Sequence, residues 1–136
     1  MKAMGSLIRI STHEVETLQK RLAEIVDRRT MVEIHLAVLE AEGESELQNA
    51  RADAEAGWYM AGFREGLKIR KAKAQAAIDA IALEELGARD ALAEAFEAQK
   101  KYEQVAESAR LLEVREAGRR ETAALDELGL RRAARS

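Results

Sequence analysis

Apolar residues recur every three and four positions along two long stretches of the chain. In the second stretch, between residues 60 and 112, only the charged residues Arg70 and Glu84 interrupt the pattern. A stripe this narrow packs against another helix rather than into a globular core. The pattern therefore predicts a coiled coil, with one very long helix whose seam consists of Met60, Phe63, Leu67, Arg70, Ala74, Ala77, Ile81, Glu84, Ala88, Ala91, Ala95, Ala98, Tyr102, Val105, Ala109 and Leu112.

The first stretch has the same period and ends sooner. Its seam loses apolar character at Gly43 and Glu46. Thr12 lies in a sequence that matches a capping box, whereas Ser6 would cap the helix earlier and bring Leu7 and Ile8 into it. We favour the earlier start. The predicted seam positions are Met4, Ile8, Ser11, Val15, Leu18, Leu22, Ile25, Arg29, Val32, Leu36 and Leu39.

Glycine and small polar residues gather between the two stretches, which predicts frayed helix from Gly43 and a turn near residues 53–57. Such a turn folds the acidic residues 40–57 back beside the basic residues 64–73, and these charges would favour one register. The predicted fold is all-α, an elongated antiparallel two-helix coiled coil. We expect arm one at about 4–50, a tip at about 51–57, arm two at about 58–112 and a C-terminal overhang at about 113–136.

The overhang follows from the predicted register. Pairing about the turn sets Leu22 near Ala91, Val15 near Ala98 and Ile8 near Val105, so the second helix outlasts the first by about 25 residues, or about 40 Å at 1.5 Å per residue. An isolated helix of this length is marginal in water. We expect that it frays when alone or that another protein holds it.

Composition agrees with long helices and narrows the classes of function. The chain has no proline, and 35% of its residues are charged. Its lack of cysteine suits a reducing cytoplasm. The apolar run near the N-terminus is too short for the core of a signal peptide or for a membrane span. A net charge of -3 argues against a nucleic-acid binder, and we give little weight to a clamp using residues 64–73.

No residue pattern predicts catalysis, a metal site or a cofactor site. His13 and His35, the two histidines, lie far apart and off the seam. The surface carboxylates of a coiled coil are ordinarily solvated or paired. Gly57, Gly62 and Gly66 have neither phosphate-loop nor dinucleotide-binding spacing. We therefore predict that the chain is not an enzyme and has no cofactor.

An aromatic cluster follows the predicted turn. Phe63 and Met60 would cap the end of the seam, whereas Trp58 and Tyr59 lie off it and would expose an anchor for a partner. A further off-seam set marks either a local stutter or a second contact face. That set is Leu83, Leu86 and Phe96.

Three segments together resemble the FliJ family, the coiled-coil component of the bacterial flagellar type III export apparatus, in its alphaproteobacterial form. Residues 6–10 are similar to the opening of the family, and residues 58–63 are similar to the start of its second helix. Residues 119–121, residues 125–127 and the basic end resemble its C-terminus. The resemblance covers nearly the whole chain.

The resemblance implies a hairpin similar to the central stalk of rotary ATP synthases. Its terminal end would enter a hexameric export ATPase of the FliI type and promote assembly and turnover of the ring. The residues implied at that end are Leu7, Ile8, Arg115, Arg119, Arg120, Asp126, Glu127, Arg131 and Arg132.

The resemblance also implies contacts nearer the turn with the cytoplasmic domain of an FlhA-type export gate, and an escort role for export chaperones. The implied gate residues are Val32, Leu36, Leu39, Trp58, Phe63 and Leu67. The family pattern has larger or smaller apolar side chains at two further positions, where this chain has Gly43 and Arg70. The expected protein is cytoplasmic, peripheral at the inner membrane, without membrane insertion, and monomeric when free.

The heptad pattern alone also fits a different class of protein. Because a seam does not specify whether its partner lies in the same chain, the chain would then be a self-associating structural coiled coil that serves as a spacer or adaptor. Sedimentation over a concentration series separates the two hypotheses.

Overall fold

Two long helices make up nearly all of the computed structural model, which describes residues 2–135 and their side chains except those of residues 54–56. Helix α1 spans Lys2–Ala52 and helix α2 spans Met60–Arg135. Asp53 and a short 3-10 helix, Ala54–Tyr59, connect them. No strand occurs among the described residues. The fold is an all-α helical hairpin, as predicted.

The chain divides into two compact units. One unit, here called the turn unit, is Glu16–Ala93 and includes the connection between the helices. The other, the terminal unit, combines Met1–Val15 with Glu94–Ser136. Each unit contains part of α1 and part of α2.

The predicted seam of α1 is confirmed. Every seam position from Met4 to Leu39 is buried or half-buried, with Val15, Ile25 and Leu39 the most buried. Helix α1 begins at Lys2, earlier than either predicted cap. The prediction of frayed helix from Gly43 is wrong, because α1 remains helical through Ala52.

Contacts with α2 explain why α1 stays helical beyond Gly43. Because Gly43 has no Cβ, the Leu67 side chain packs directly on its backbone, and a Cβ at position 43 would lie only 2.5 Å from Cδ2 of Leu67. A few residues later, the Tyr59 hydroxyl donates a hydrogen bond of 2.9 Å to the Glu46 carboxylate. Asp53 N donates to Asn49 O at 3.1 Å and closes the last turn. The helix therefore ends where these contacts end.

In α2, one of the two predicted rows of the seam is confirmed. In the turn unit, this row is Met60, Leu67, Ala74, Ile81 and Ala88, all buried or half-buried. In the terminal unit, the row continues with Ala95, Tyr102 and Ala109, which are also buried or half-buried. The spacing of seven residues predicted this row correctly.

The second predicted row of α2 is confirmed at half of its eight positions and wrong at the other half; the half-buried, confirmed positions are Phe63, Ala77, Ala91 and Ala98. Arg70 and Glu84 are exposed in the turn unit, and their neighbours Lys71 and Glu85 are the ones that turn inward. In the terminal unit, Val105 and Leu112 are exposed and Ala106 is half-buried. Lys71 thus replaces Arg70 and Glu85 replaces Glu84 in the seam, so charged side chains still interrupt its apolar character, and Glu85 is buried.

The core of the turn unit is a small cluster of Ile25, Ile81 and Ala88, against which Leu22 and Val32 pack. Alanines on α2 facing larger side chains on α1 allow the helices to approach closely. In the terminal unit, Ser11 is buried and its hydroxyl donates to Ile8 O at 2.9 Å. Such a bond satisfies a buried polar group locally.

Polar contacts between the helices indicate the register within each unit. In the turn unit, Arg28 contacts Glu84. In the terminal unit, Gln99 Nε2 donates to Thr12 Oγ1 at 3.0 Å. Both pairs lie within about two positions of the register predicted from the sequence.

Candidate protein-binding surfaces

An open groove lies between the two helices of the turn unit, close to their connection. It has a volume of about 250 Å³, and its floor includes Met60, Phe63 and Leu67. Acidic side chains of α1 and basic side chains of α2 border it, so the two predicted charge stretches meet here. The bordering charged residues are Glu40, Glu44, Arg64 and Lys71.

The residues expected to bind an export gate differ greatly in accessibility. Leu39 is only 3% exposed, and Val32, Leu36, Phe63 and Leu67 are half-buried. A partner cannot reach Leu39 while the helices remain packed. Of the expected gate residues, Trp58 presents the largest accessible surface, with 86% of the residue exposed.

Trp58 and Tyr59 have different surroundings, although the sequence grouped them as one exposed anchor. Their rings meet edge to face, with centroids 6.0 Å apart and planes at 85°. Tyr59 is half-buried and held by Glu46, and this hydrogen bond raises the pKa of Tyr59 above its ordinary value. Tyr59 thus supports the indole edge, while the rest of the Trp58 ring faces solvent.

A group of ion pairs crosses the turn unit. Arg28 donates two hydrogen bonds, of 3.1 and 3.0 Å, to the Glu84 carboxylate, a bidentate geometry. The adjacent Arg29 pairs with Glu85, the neighbour of Glu84, whose side chain is only 8% exposed. Arg89 also donates to Glu85, at 3.0 Å. The Arg28 bonds lower the pKa of Glu84 and raise that of Arg28.

In the terminal unit, α2 continues beyond its contacts with α1. Every described residue from Leu111 to Arg135 is exposed. The residues expected to enter an ATPase ring differ in exposure. On α1, Ile8 is half-buried and Leu7 is exposed. On α2, all of the expected residues are exposed. Arg131 is paired with Glu127 at 3.1 Å.

Comparison with known proteins gives the family. The chain is 56% identical over 133 residues to the flagellar FliJ protein of Caulobacter vibrioides strain NA1000 / CB15N, covering 98% of this chain and 96% of that protein. The FliJ protein of strain ATCC 19089 / CIP 103742 / CB 15 gives the same values. The chain belongs to the FliJ family. No family model matches it, and no solved structure matches it either.

A metal site and a membrane span each place requirements on the described residues of this FliJ family member. Among the described residues, no group of three or more histidines and carboxylates is placed to hold a metal ion. No helix within residues 2–135 is long and apolar enough to cross a membrane. The accessible features of the described residues are exposed apolar groups, grooves and ion pairs, which are features that protein interfaces commonly have.

The ion pairs of the turn unit in this FliJ family member were not predicted from its sequence. Arg29 was assigned to the seam without a partner, and Glu84 was assigned to a seam position that Glu85 in fact occupies. Two adjacent arginines on one arm and two adjacent glutamates on the other were the available signal. At the predicted register, these dipeptides come opposite each other.

A second groove in the FliJ hairpin explains one off-seam leucine. This groove of about 270 Å³ lies in the turn unit, between Leu18 and Arg21 on α1 and residues 83–91 on α2. Leu83 borders it and remains exposed. The small residues Gly87, Ala88 and Ala91 leave its floor open. Leu83 therefore lies at the border of a shallow depression on the surface of the turn unit.

Proposed function

We propose that the chain is a non-enzymatic component of flagellar type III protein export, acting as a stalk inside a hexameric export ATPase. The support is membership of a family named for a flagellar protein, together with a long helical segment in which every described residue is exposed. Long helices that lack packing partners are marginal alone, so a ring that surrounds this one would stabilise it. The exposed segment, residues 111–135, is the observation that carries the proposal.

The chemistry of this segment suits an acidic protein socket. From Arg115 onward there are six arginines and four acidic residues, together with three exposed leucines within residues 125–130. Arginine pairs well with carboxylates because its guanidinium offers planar, bidentate donors. A single asymmetric helix in a six-fold ring meets the subunits unequally. This inequality would bias their conformations and promote assembly and turnover, with hydrolysis performed by the ring.

The same proposal assigns the turn unit to the export gate and to chaperones. Trp58 is the favoured anchor, since exposed tryptophans are frequent energetic centres of protein interfaces. Phe63 and Leu67 would join it through the groove near the connection. Leu39 would take part only if the helices separated locally. The place of action would be the cytoplasmic face of the inner membrane, reached through the export apparatus.

The test measures turnover and oligomerisation of the cognate export ATPase with the full chain and with a chain ending at Leu112. Stimulation by the full chain that the shorter chain lacks would support the stalk. As a sharper version, R119E/R120E is compared with K100E/K101E, which reverses two exposed charges on the same helix. The first variant should lose stimulation and the second should retain it. Equal turnover with and without the full chain would rule the stalk out.

A further inference from the structure

The C-terminal part of α2 carries an apolar row that the predicted seam does not include. Leu111 and Val114 lie three residues apart, as do Leu125 and Leu128, and Gly118 and Glu121 occupy the intervening heptad positions. We call these six residues the C-terminal stripe. Leu111, Val114, Leu125 and Leu128 are all exposed. A heptad row of exposed apolar groups is suited to another helix.

The C-terminal stripe is not a continuation of the seam. At 100° per residue, it lies about 140° around the helix from the seam residues Ala106 and Ala109. A row of equal length through Leu112 and Leu130 is poorer, because Glu116, Arg119 and Asp126 interrupt it. The stripe is therefore a separate face of the helix, beyond the contacts that α1 makes in the terminal unit.

The stripe has nearly the same pattern when read in either direction. We propose that the C-terminal stripes of two copies of this chain pair in antiparallel fashion about a two-fold axis. Leu111 would then meet Leu128 of the second copy, and Val114 would meet Leu125 of the second copy. Gly118 would lie opposite Glu121 of the second copy. A Cβ at Gly118 would meet nothing in its own chain, so this position leaves room for the carboxylate to reach water.

The residues that flank the stripe favour a second copy of the chain. Two alanines, Ala117 and Ala124, would face each other across the axis and allow a close approach. Arg110 and Arg131 would also come near each other. Each is already paired within its own helix, Arg110 with Glu107 at 2.7 Å and Arg131 with Glu127 at 3.1 Å. This pairing reduces the like-charge repulsion that would otherwise oppose the dimer.

The stripe also bears on the stalk. A self-paired segment is unavailable to an ATPase ring, so dimer formation would hold the chain in a resting form; this consequence rests on the proposed function. The pairing itself does not depend on that proposal. The two fail separately, because one is measured with the purified chain alone and the other with the ATPase.

Sedimentation equilibrium of the full chain over a wide concentration series tests the pairing. The expected result for the natural chain is a reversible dimer. In Leu125→Glu, which places a charge in the stripe, the dissociation constant should rise about tenfold or more. Leu130→Glu is the matched control, because Leu130 is equally exposed on the same segment but off the stripe. It should change the dissociation constant by less than about twofold. Circular dichroism verifies that both variants remain helical.

A monomer at all concentrations would overturn the proposal, and so would a dimer that Leu125→Glu leaves intact. Cysteine cross-linking tests the orientation, and the chain has no cysteine of its own to interfere. Mixing Ala117→Cys with Ala124→Cys under oxidation should give the mixed disulfide dimer. Disulfide dimers formed equally well by each variant alone would indicate parallel chains and would contradict the two-fold antiparallel arrangement.

Discussion

The guanidinium of Arg29 and the carboxylate of Glu85 pair across the interface between α1 and α2, in the unit that also contains the apolar cluster of Ile25, Ile81 and Ala88. The Nε atom of Arg29 is buried and lies 3.5 Å from the Glu33 carboxylate without a hydrogen bond. Arg29 therefore depends mainly on Glu85 for compensation of its charge. Removing one partner of such a pair leaves a charge without its counterion in a partly dehydrated place.

Glu85→Gln should destabilise the hairpin by about 1–3 kcal/mol, because Arg29 keeps its charge and loses its main partner. Urea unfolding followed by circular dichroism measures this as a lower midpoint. The control is Glu84→Gln, which removes the carboxylate paired with Arg28. Because Glu84 is more exposed than Glu85, this change should have the smaller effect. The double variant R29M/E85L should recover most of the loss, since apolar groups of similar volume replace the pair. An equal loss in both single variants would contradict this account.

The stability supplied by Glu84 should depend on pH in a defined direction. The hydrogen bonds from Arg28 hold the folded-state pKa of Glu84 below the ordinary value of 4.5. A depressed carboxylate pKa contributes stability that is present above the unfolded pKa and lost as pH falls through the folded pKa. The stability difference between the natural chain and Glu84→Gln should therefore be constant near pH 7 and shrink below about pH 4. A difference that persists at pH 2 would show that the carboxylate charge is not its source.

Gly43 and Gly62 should respond differently to alanine. In Gly62→Ala, the new methyl group meets nothing within 4 Å, so helix propensity should stabilise the chain by up to about 1 kcal/mol. In Gly43→Ala, the methyl group would displace Leu67, and this should cancel most or all of that gain. Thermal unfolding of the two variants beside the natural chain measures the difference. Equal stabilisation would mean that Leu67 moves aside at no cost.

Trp58→Ala should weaken binding to the cytoplasmic domain of the export gate about tenfold or more, if the turn unit binds that domain as proposed. Leu83→Ala is the matched control, since Leu83 is also exposed in the turn unit but borders the other groove. It should leave the affinity nearly unchanged. Titration calorimetry gives both affinities, and unfolding midpoints verify that neither variant is destabilised. Equal affinities of all three chains would exclude Trp58 as the anchor.

The seam of α1 was predictable because its apolar residues are large and its neighbours are polar. In α2, the Met60 row was predictable for the same reason. The other row was wrong at half of its positions, because there the choice lay between chemically similar neighbours, such as Arg70 and Lys71 or Glu84 and Glu85. Ala77 beside Ile78 and Ala91 beside Leu92 offer no clearer contrast. Hydrophobic periodicity cannot resolve a shift of one residue where both candidates have similar character.

The end of α1 and the separation of Trp58 from Tyr59 were beyond prediction for another reason. Both depend on contacts between residues distant in sequence, namely Leu67 over Gly43 and Tyr59 with Glu46. Local propensity at Gly43 favours fraying, and tertiary packing overrides it. The hypotheses of gate and ring binding came from the family resemblance. The exposed Trp58 can be tested for the first hypothesis and the exposed residues 111–135 for the second.

The pair of Arg29 and Glu85 also limits how far the two helices can slide along each other. A displacement of α2 by one heptad would keep alanine opposite the large side chains of α1 at many positions, so apolar packing alone distinguishes the two alignments weakly. The same displacement would bring Arg29 opposite Ile78 or Leu92, so that Arg29 and Glu85 would each lose the opposite charge that it pairs with. A hairpin lacking this pair can thus be as stable as the natural one and yet populate more alignments, because the pair adds to the register that the Arg28–Glu84 contact and the short connection also favour.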